Sequence, residues 1–213
     1  MAGKPRLFSA DYSVYVRIAR LALLEKDVDH ELVPVDIFAG DGVADWYLAR
    51  HPFRRIPAFE HGDLRLFETG AITRYVDEAF AGPPLQPQGA ARRAVMNQII
   101  GLLDGYAYRA LVWGVYVERV SKPEQGKTPD EALIAAALET ARTCLSTLTR
   151  LQDGRAFLAG DRLSLADLHA APILAYFVRA PEGAALLADY PALGRWWTGL
   201  TARPAFRATE PTG

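Results

Sequence analysis

The stretch Arg55-Ile56-Pro57-Ala58-Phe59, followed after one hairpin by Glu68-Thr69, decides the fold of this chain. Proline cannot donate a hydrogen bond to a sheet, so Pro57 is expected at the start of a strand. The two short runs after it read as strands that are joined by the two-residue turn Gly62-Asp63. An acid and a hydroxyl, Glu68-Thr69, then open a helix. This arrangement predicts a place where backbone groups and a helix terminus receive a small polar ligand.

The composition is that of a globular protein. The chain has 213 residues, of which 50% are hydrophobic and 23% are charged, and its formal net charge is -1. That balance gives no electrostatic footprint for nucleic acid, and no apolar run is long enough to span a bilayer. The N-terminal residues show no signal region, and the single cysteine, Cys144, leaves no disulfide framework. A reducing, cytoplasmic setting is therefore expected, with neither nucleic acid nor membrane as a partner.

The first part of the chain alternates between strand and helix patterns. It predicts a strand over 6–9, a helix entered at Ser13, an edge strand over 31–36 and a short helix near 46–48. In the first helix, Arg17, Arg20 and Glu25 are expected to take the polar face. A Gly- and Asp-rich loop over 39–43 precedes the hairpin. The order β-α-β-α-β-β-α predicts a small mixed sheet with helices on both faces.

A Pro- and Gly-rich segment divides the chain into two predicted domains. Residues 1–80 form the α/β domain, 81–89 a linker of limited flexibility, and 90–213 an all-α domain. One long helix is predicted from Ala91 to about Val120, and the next begins with Thr128 as its cap. A capping box between Ser164 and Asp167 is expected to open a buried helix and to do no chemistry.

Several longer phrases resemble the soluble glutathione transferases, most of all their phi class. They include the segments 23–28, 31–36, 62–64, 66–68, 71–75, 158–161 and 165–168. The resemblance covers almost the full length, and its motifs are specific together and weak singly. It implies a thioredoxin-like N-terminal domain, an all-helical C-terminal domain and a homodimer. It also implies glutathione as co-substrate and no permanently bound cofactor.

The resemblance assigns the thiol and γ-glutamyl ends of a glutathione site. Ser13 falls on the family's catalytic serine, and Pro57 on its cis-proline. Ile56 would pair its backbone with the cysteinyl part of glutathione. Glu68 and Thr69 would hold the γ-glutamyl group, with Thr in place of the usual Ser.

The glycyl end of the site departs from the family pattern. Gly42 and Val43 stand where phi enzymes carry a His-Lys pair that helps to hold the glycyl carboxylate. Arg54 and Arg55 stand in place of Gly and Gln, and Gly70 in place of Arg. Either arginine is a candidate for the missing cation, because Arg grips carboxylates with two hydrogen bonds. The alternative is that both are solvated loop charges.

A serine can meet the energetic demand of thiol activation. A free thiol titrates near 8.5, and the thiolate is the nucleophile. Lowering that pKa by about two units needs roughly 2.7 kcal/mol of preference for the anion. A hydrogen bond to a charged group contributes about 1.5–3 kcal/mol, and a helix N-terminus about 0.3–1 kcal/mol. Ser13 therefore suffices, while Tyr12 is the rival donor and Tyr15 has the spacing of a core residue.

The predicted second substrate is a hydrophobic electrophile, bound between the domains. Candidate aromatic walls for it are Tyr12, Tyr106, Tyr108, Trp113 and Tyr116. The alternative is that most of these rings are core or dimer contacts. The four histidines lack metal-ligand spacing, so no metal is expected.

The predicted function is transfer of glutathione to electrophilic small molecules. The alternative is a non-catalytic, glutathione-transferase-like module that kept the fold as a binding or scaffolding surface. The changes at Gly42, Val43 and Gly70 keep that alternative open.

Overall fold

The computed structural model describes residues 3–38, 42–43 and 45–211. Its contacts divide the chain into two compact units, one made of Met1–Leu85 with Arg203–Gly213 and the other of Gln86–Ala202. The boundary falls inside the predicted linker. Most of the predicted Gly- and Asp-rich loop, residues 39–41, lies outside the described residues.

The first unit contains the predicted mixed sheet of four strands. The strands are β1 (Arg6–Ser9), β2 (Glu31–Pro34), β3 (Ala58–His61) and β4 (Leu64–Phe67). Their order is β2-β1-β3-β4, with β1 parallel to β2 and the other neighbours antiparallel. Strand β2 is an edge strand, as its internal proline predicts, and it ends two residues earlier than expected. Gly62 has a φ of 60°, which suits the first position of the predicted hairpin turn.

Helices lie on both faces of this sheet. They are α1 (Val14–Glu25), α2 (Asp45–Leu48) and α3 (Thr69–Ala79). The ring of Phe8 lies 6.0 Å from that of Trp46 and 5.8 Å from that of Tyr47, so this face is covered by α2. Leu7 points to the opposite face because side chains alternate along a strand. There α1 and α3, which contact each other, complete the core.

The C-terminal segment packs on α1, which corrects two sequence predictions. Arg17 is buried rather than solvent-facing, and its guanidinium donates to the Phe206 carbonyl and the Thr209 hydroxyl, each at 3.1 Å. Arg203 makes a bidentate pair with Glu25. Residues 203–213 therefore belong with the α/β unit, although the sequence placed all of 90–213 in the helical domain. The periodicity of α1 cannot show that the C-terminal segment buries Arg17, because that segment is distant in the sequence.

The second unit is helical throughout. Its elements are α4 (Ala90–Leu102), a π-helical segment (Leu103–Ser121), α5 (Lys122–Glu124), α6 (Glu131–Gln152), α7 (Leu165–Phe177), α8 (Pro181–Ala188) and α9 (Pro191–Thr201), while α10 (Pro204–Ala208) belongs to the first unit. The π-helical segment replaces the second part of the single long helix that was predicted. The helical path also continues past the expected stop, because Pro123 sits in the first turn of α5, where a missing N–H is tolerated.

The start of α6 differs from the prediction by two residues. Asp130, not Thr128, is the N-cap, and its carboxylate accepts the backbone N–H of Leu133 at 3.0 Å. Thr128 precedes a proline and is therefore biased toward extended backbone. Glu131 pairs with Arg119 instead of closing a capping box.

The capping box of α7 is confirmed, and its two residues, Ser164 and Asp167, are buried. The Asp167 carboxylate accepts from the backbone and hydroxyl of Ser164, from the Leu158 N–H and from the Trp196 indole N–H, over 2.7–2.8 Å. Burial raises the pKa of Asp167, and these four donors oppose that shift. The segment therefore has the structural role that the sequence predicted, and Trp196 contributes to the same buried network.

Gly114 in the π-helical segment is expected to be intolerant of a side chain. A methyl group built there would lie 2.5 Å from the Cβ of Ala137 on α6. Overpacking costs about 1–3 kcal/mol, and removing a helical glycine recovers about 0.5–1 kcal/mol. We expect Gly114→Ala to lower the free energy of unfolding by about 1 kcal/mol in urea melts. The double variant with Ala137→Gly should recover most of the loss, and an unchanged single variant would contradict the contact.

Candidate active site

The strand register gathers the predicted site residues at one end of the sheet. Ala58 pairs with Phe8 on one side and with Phe67 on the other. Pro57 therefore lies beside the end of β1, which leads to Ser13, and beside Glu68 at the end of β4. Neighbouring strands are about 4.8 Å apart, so these segments adjoin one another. Ligands of open α/β sheets bind at such strand ends.

Ser13 is the N-cap of α1. Its hydroxyl oxygen accepts the backbone N–H of Val16 at 3.3 Å. An oxygen that accepts in this way keeps its own O–H for another partner. The hydroxyl proton is therefore available beside the positive end of the helix dipole, where an anion is stabilised.

Tyr12 has its hydroxyl directed toward another group. Its O–H donates to the Asp36 carboxylate at 3.3 Å, and its ring lies 5.4 Å from that of Phe38. Burial raises the pKa of the Tyr12 phenol, and the Asp36 carboxylate adds to the shift. These contacts favour Ser13 over Tyr12 as the donor to a thiolate.

The peptide bond between Ile56 and Pro57 is cis, as the resemblance implies. The Ile56 side chain is buried, while its backbone N–H and C=O make no backbone hydrogen bond to the residues that the structure describes. Both groups can therefore pair with an extended ligand in the manner of an added strand.

Glu68 and Thr69 stand at the start of α3. Glu68 has the unusual backbone angles φ 70° and ψ 111°, and its side chain does not cap the helix. Within the described chain its carboxylate has no hydrogen bond or ion pair. Non-glycine residues in such backbone regions cost about 1–3 kcal/mol and cluster at functional sites. Thr69, the next residue, is buried, whereas Glu68 is exposed.

Arg54 and Arg55 lie in the loop before Pro57, and both are exposed. Neither guanidinium pairs with another group among the described residues. Arg54 has a φ of 57°, a value that glycine adopts without strain. This backbone angle explains why the family pattern has glycine at the position of Arg54. The Arg55 carbonyl accepts the Tyr47 hydroxyl at 2.6 Å, which fixes the loop.

Two of the departures from the family pattern, Gly42 and Gly70, have different surroundings. Gly42 has a φ of 78°, and nothing lies within 4 Å of where its Cβ would be. At Gly70 a Cβ would meet the Arg74 guanidinium at 2.8 Å, and that guanidinium donates to the Gly70 carbonyl at 2.6 Å. The space left by the glycine is thus occupied by an arginine one turn along α3.

His51 is a site-loop residue that the sequence interpretation missed. It is buried, and its ring lies 5.1 Å from that of Phe67, the residue before Glu68. Its place shortly before Pro57 was the only available signal, because burial of a polar residue in a loop leaves no periodic pattern. Cys144, by contrast, is buried as expected, and burial raises the pKa of its thiol.

The candidate electrophile residues of the helical unit differ in exposure. Tyr106 is 66% exposed and Trp113 is 47% exposed, whereas Tyr108 is half-buried. The Tyr116 hydroxyl accepts from Arg179 at 3.1 Å, and its ring lies 4.6 Å from that of Tyr176. Tyr116 is thus engaged in packing, while Tyr106 and Trp113 keep free ring surface.

The described residues contain neither a metal-binding cluster nor a helix suited to cross a membrane. Across 3–38, 42–43 and 45–211, no group of three His, Cys, Asp or Glu side chains is arranged to hold a metal ion. None of the helices that the structure describes combines the length and the apolar character needed to cross a membrane.

Comparison with known proteins agrees with this architecture over nearly the whole chain. The family model for the glutathione S-transferase N-terminal domain matches residues 7–84, and that for the C-terminal domain matches 108–204. Glutathione S-transferase F13 of Arabidopsis thaliana is 31% identical over 208 residues, which are 97% of this chain and 94% of that relative.

Solved structures give the same result. Glutathione transferase F7 from Populus trichocarpa has a TM-score of 0.85 at 32% identity and covers 96% of this chain and 97% of its own. Glutathione S-transferase I from maize, solved with an atrazine glutathione conjugate, has a TM-score of 0.87 at 28% identity and covers 99% and 100%.

A thioredoxin-like unit with a mixed four-stranded sheet, followed by an all-helical unit, is the architecture of the glutathione transferases. The chain belongs to the glutathione S-transferase family, and phi-class enzymes are among its relatives. It is therefore an enzyme of this class.

Proposed function

We propose that this enzyme joins the glutathione thiolate to hydrophobic electrophiles and that the Ser13 hydroxyl stabilises the thiolate. The observation that carries the proposal is the geometry of Ser13, whose oxygen accepts the Val16 N–H and so leaves its proton for sulfur. The sulfur would then receive one charge-assisted hydrogen bond at a helix N-terminus. Those two contributions together match the roughly 2.7 kcal/mol that a two-unit fall in thiol pKa requires.

The γ-glutamyl end of glutathione is held, in this proposal, by Glu68 and Thr69. The Glu68 carboxylate would accept from the ammonium group, and the N–H groups at the start of α3 would receive the α-carboxylate. The backbone of Ile56 would pair with the cysteinyl residue. Glutathione would bind as a co-substrate in this scheme, with no permanent cofactor.

The glycyl carboxylate is assigned to Arg55, with Arg54 as the alternative cation. Both side chains project from the loop that ends at Pro57, and both lack partners within the described chain. An arginine can give a carboxylate two parallel hydrogen bonds. This arginine would hold the glycyl carboxylate in place of the His-Lys pair, whose positions are Gly42 and Val43 in this chain.

The assignment to Arg55 predicts a selective loss of affinity. We expect Arg55→Gln to weaken glutathione binding about threefold to tenfold, a modest effect because the contact is solvent-exposed. An analogue whose glycyl carboxylate is amidated should bind the variant and the parent equally well in calorimetric titrations. If only Arg54→Gly shows this pattern, the cation is Arg54, and if neither does, both are loop charges.

The electrophile is proposed to contact Tyr106 and Trp113, with Tyr108 and Tyr12 as further candidates. The exposed rings of the first two supply apolar surface that an aromatic or halogenated ligand can use. The glutathione transferase relative from maize was solved with an atrazine conjugate, which is an example of such chemistry. A homodimer stays a prediction, which sedimentation equilibrium of the purified chain can test.

The proposed function is tested by calorimetric titration of glutathione together with an assay on a generic aryl halide. Saturable binding at millimolar glutathione or below, with enzyme-dependent loss of the halide, is the expected result. An absence of both would contradict the proposal.

A further inference from the structure

His51 is a buried histidine to which the proposed chemistry assigns no role. It is 3% exposed, and its Nδ1 lies buried with no hydrogen-bond partner among the described residues. Buried polar atoms are nearly always hydrogen-bonded in native proteins, so an exception calls for an explanation. Its position in the loop before Pro57 places this exception beside the glutathione site.

Three aromatic rings fix the imidazole in place. The ring centroids of Tyr47, Phe53 and Phe67 lie at 6.5, 6.4 and 5.1 Å. Two of these residues, Phe67 and Tyr47, are also connected to residues of the proposed glutathione site. Phe67 directly precedes Glu68, and the Tyr47 hydroxyl donates to the Arg55 carbonyl.

Two charges of opposite sign act on the imidazole. Burial lowers the pKa of His51, and the positive charge of Arg55 in the same loop lowers it further. The negative charge of Glu68 at the end of β4 raises this pKa, and the backbone of His51 itself raises it by a smaller amount. The titratable group that packs on it from α2 is Tyr47, and burial raises the pKa of that phenol, which therefore stays uncharged. The pKa of His51 therefore lies below the ordinary histidine value, because burial disfavours the charged imidazole.

We propose that His51 is a positioning residue that makes glutathione binding depend on pH through Glu68. Neutral His51 leaves the Glu68 carboxylate available to the ammonium group of the ligand. Protonated His51 is a cation near the Glu68 carboxylate, and it competes with the ammonium group of the ligand for that carboxylate. Because the coupling is reciprocal, a bound ammonium group must also make His51 harder to protonate. The inference rests on the proposed contact between Glu68 and the γ-glutamyl group.

The test compares the pH profiles of binding for the parent and His51→Asn. S-methylglutathione is the probe, because it lacks the titrating thiol and keeps the ammonium group. Between about pH 8 and pH 5, the parent should lose about fivefold more affinity than His51→Asn in calorimetric titrations. Asparagine keeps a polar group of similar reach without the charge. His30→Asn is the matched control, because His30 precedes β2 and so lies at the opposite end of the sheet, and it should follow the parent.

Parallel profiles for the parent and His51→Asn, with binding intact at high pH, would overturn this inference alone. No binding of the probe by any form at any pH would overturn the glutathione site and the inference with it.

Nuclear magnetic resonance on the unaltered enzyme gives a second test that does not depend on how the variant folds. The ring signals of the four histidines can be titrated with and without saturating S-methylglutathione. The signal that is assigned to His51 through nuclear Overhauser contacts with the Phe67 ring should move to a lower pKa when the ligand is bound. An unchanged pKa would overturn the proposal.

Discussion

Ser13→Ala should lower the rate of glutathione conjugation at pH 7 by at least about tenfold, because the thiolate loses a hydrogen bond worth about 1.5–3 kcal/mol. The measurement is a steady-state assay at saturating glutathione with an aryl halide. The substitution also removes the N-cap of α1, which costs about 1 kcal/mol of stability. The enzyme should therefore remain folded at assay temperature while its activity falls.

Control variants separate the hydroxyl donor from the helix cap. Ser13→Gly preserves most of the capping energy, and only a few tenths of a kcal/mol are lost, but it has no hydroxyl. Ser13→Gly should thus be as slow as Ser13→Ala, whereas Ser13→Thr should keep much of the rate. Tyr12→Phe should remain close to the parent, because the Tyr12 hydroxyl is directed to Asp36. A slow Tyr12→Phe beside a fast Ser13→Ala would transfer the assignment to Tyr12.

Glu68→Gln should weaken glutathione binding by about tenfold, because a charged partner of the ligand's ammonium is removed and its exposure limits the loss to the low end for such a contact. The loss should appear in the Kd and in the KM for glutathione, with a smaller change in kcat. Calorimetric titration of the parent and the variant measures it directly. Equal affinities would show that the carboxylate does not contact the ligand.

Glu68→Gly separates binding from backbone strain at the same position. The parent holds a non-glycine residue at a φ of 70°, which glycine adopts without strain. We expect Glu68→Gly to raise the free energy of unfolding by about 1 kcal/mol while binding is lost. A variant that is less stable than the parent would mean that the side chain itself supports the fold.

Local chemistry in the sequence was enough to predict the frame of this site. A strand-opening proline, a two-residue turn with glycine and a serine before an apolar periodic run all act within a few residues. They correctly gave the hairpin and the cap of α1, and the internal Pro34 correctly gave the edge strand β2. The identification of Glu68 and Thr69 as a helix start is likewise confirmed by α3.

Predictions failed where the deciding contact is distant in the chain or leaves no periodic pattern. Arg17 is buried by Thr209, 192 residues away, so its own helix pattern could not show it. The π-helical segment carries apolar residues at spacings that are close to those of an α-helix, and the sequence therefore predicted a single helix. The burial of His51 depends on three rings from different elements.

The most direct test of Ser13 as the thiolate donor is the pKa of the glutathione thiol while it is bound. Ultraviolet absorbance of the thiolate can be followed against pH for the complexes of the parent and of Ser13→Ala. The parent complex should titrate about two units below the free value near 8.5, and the variant complex close to that free value. An equally low pKa in both complexes would contradict the role of the Ser13 hydroxyl.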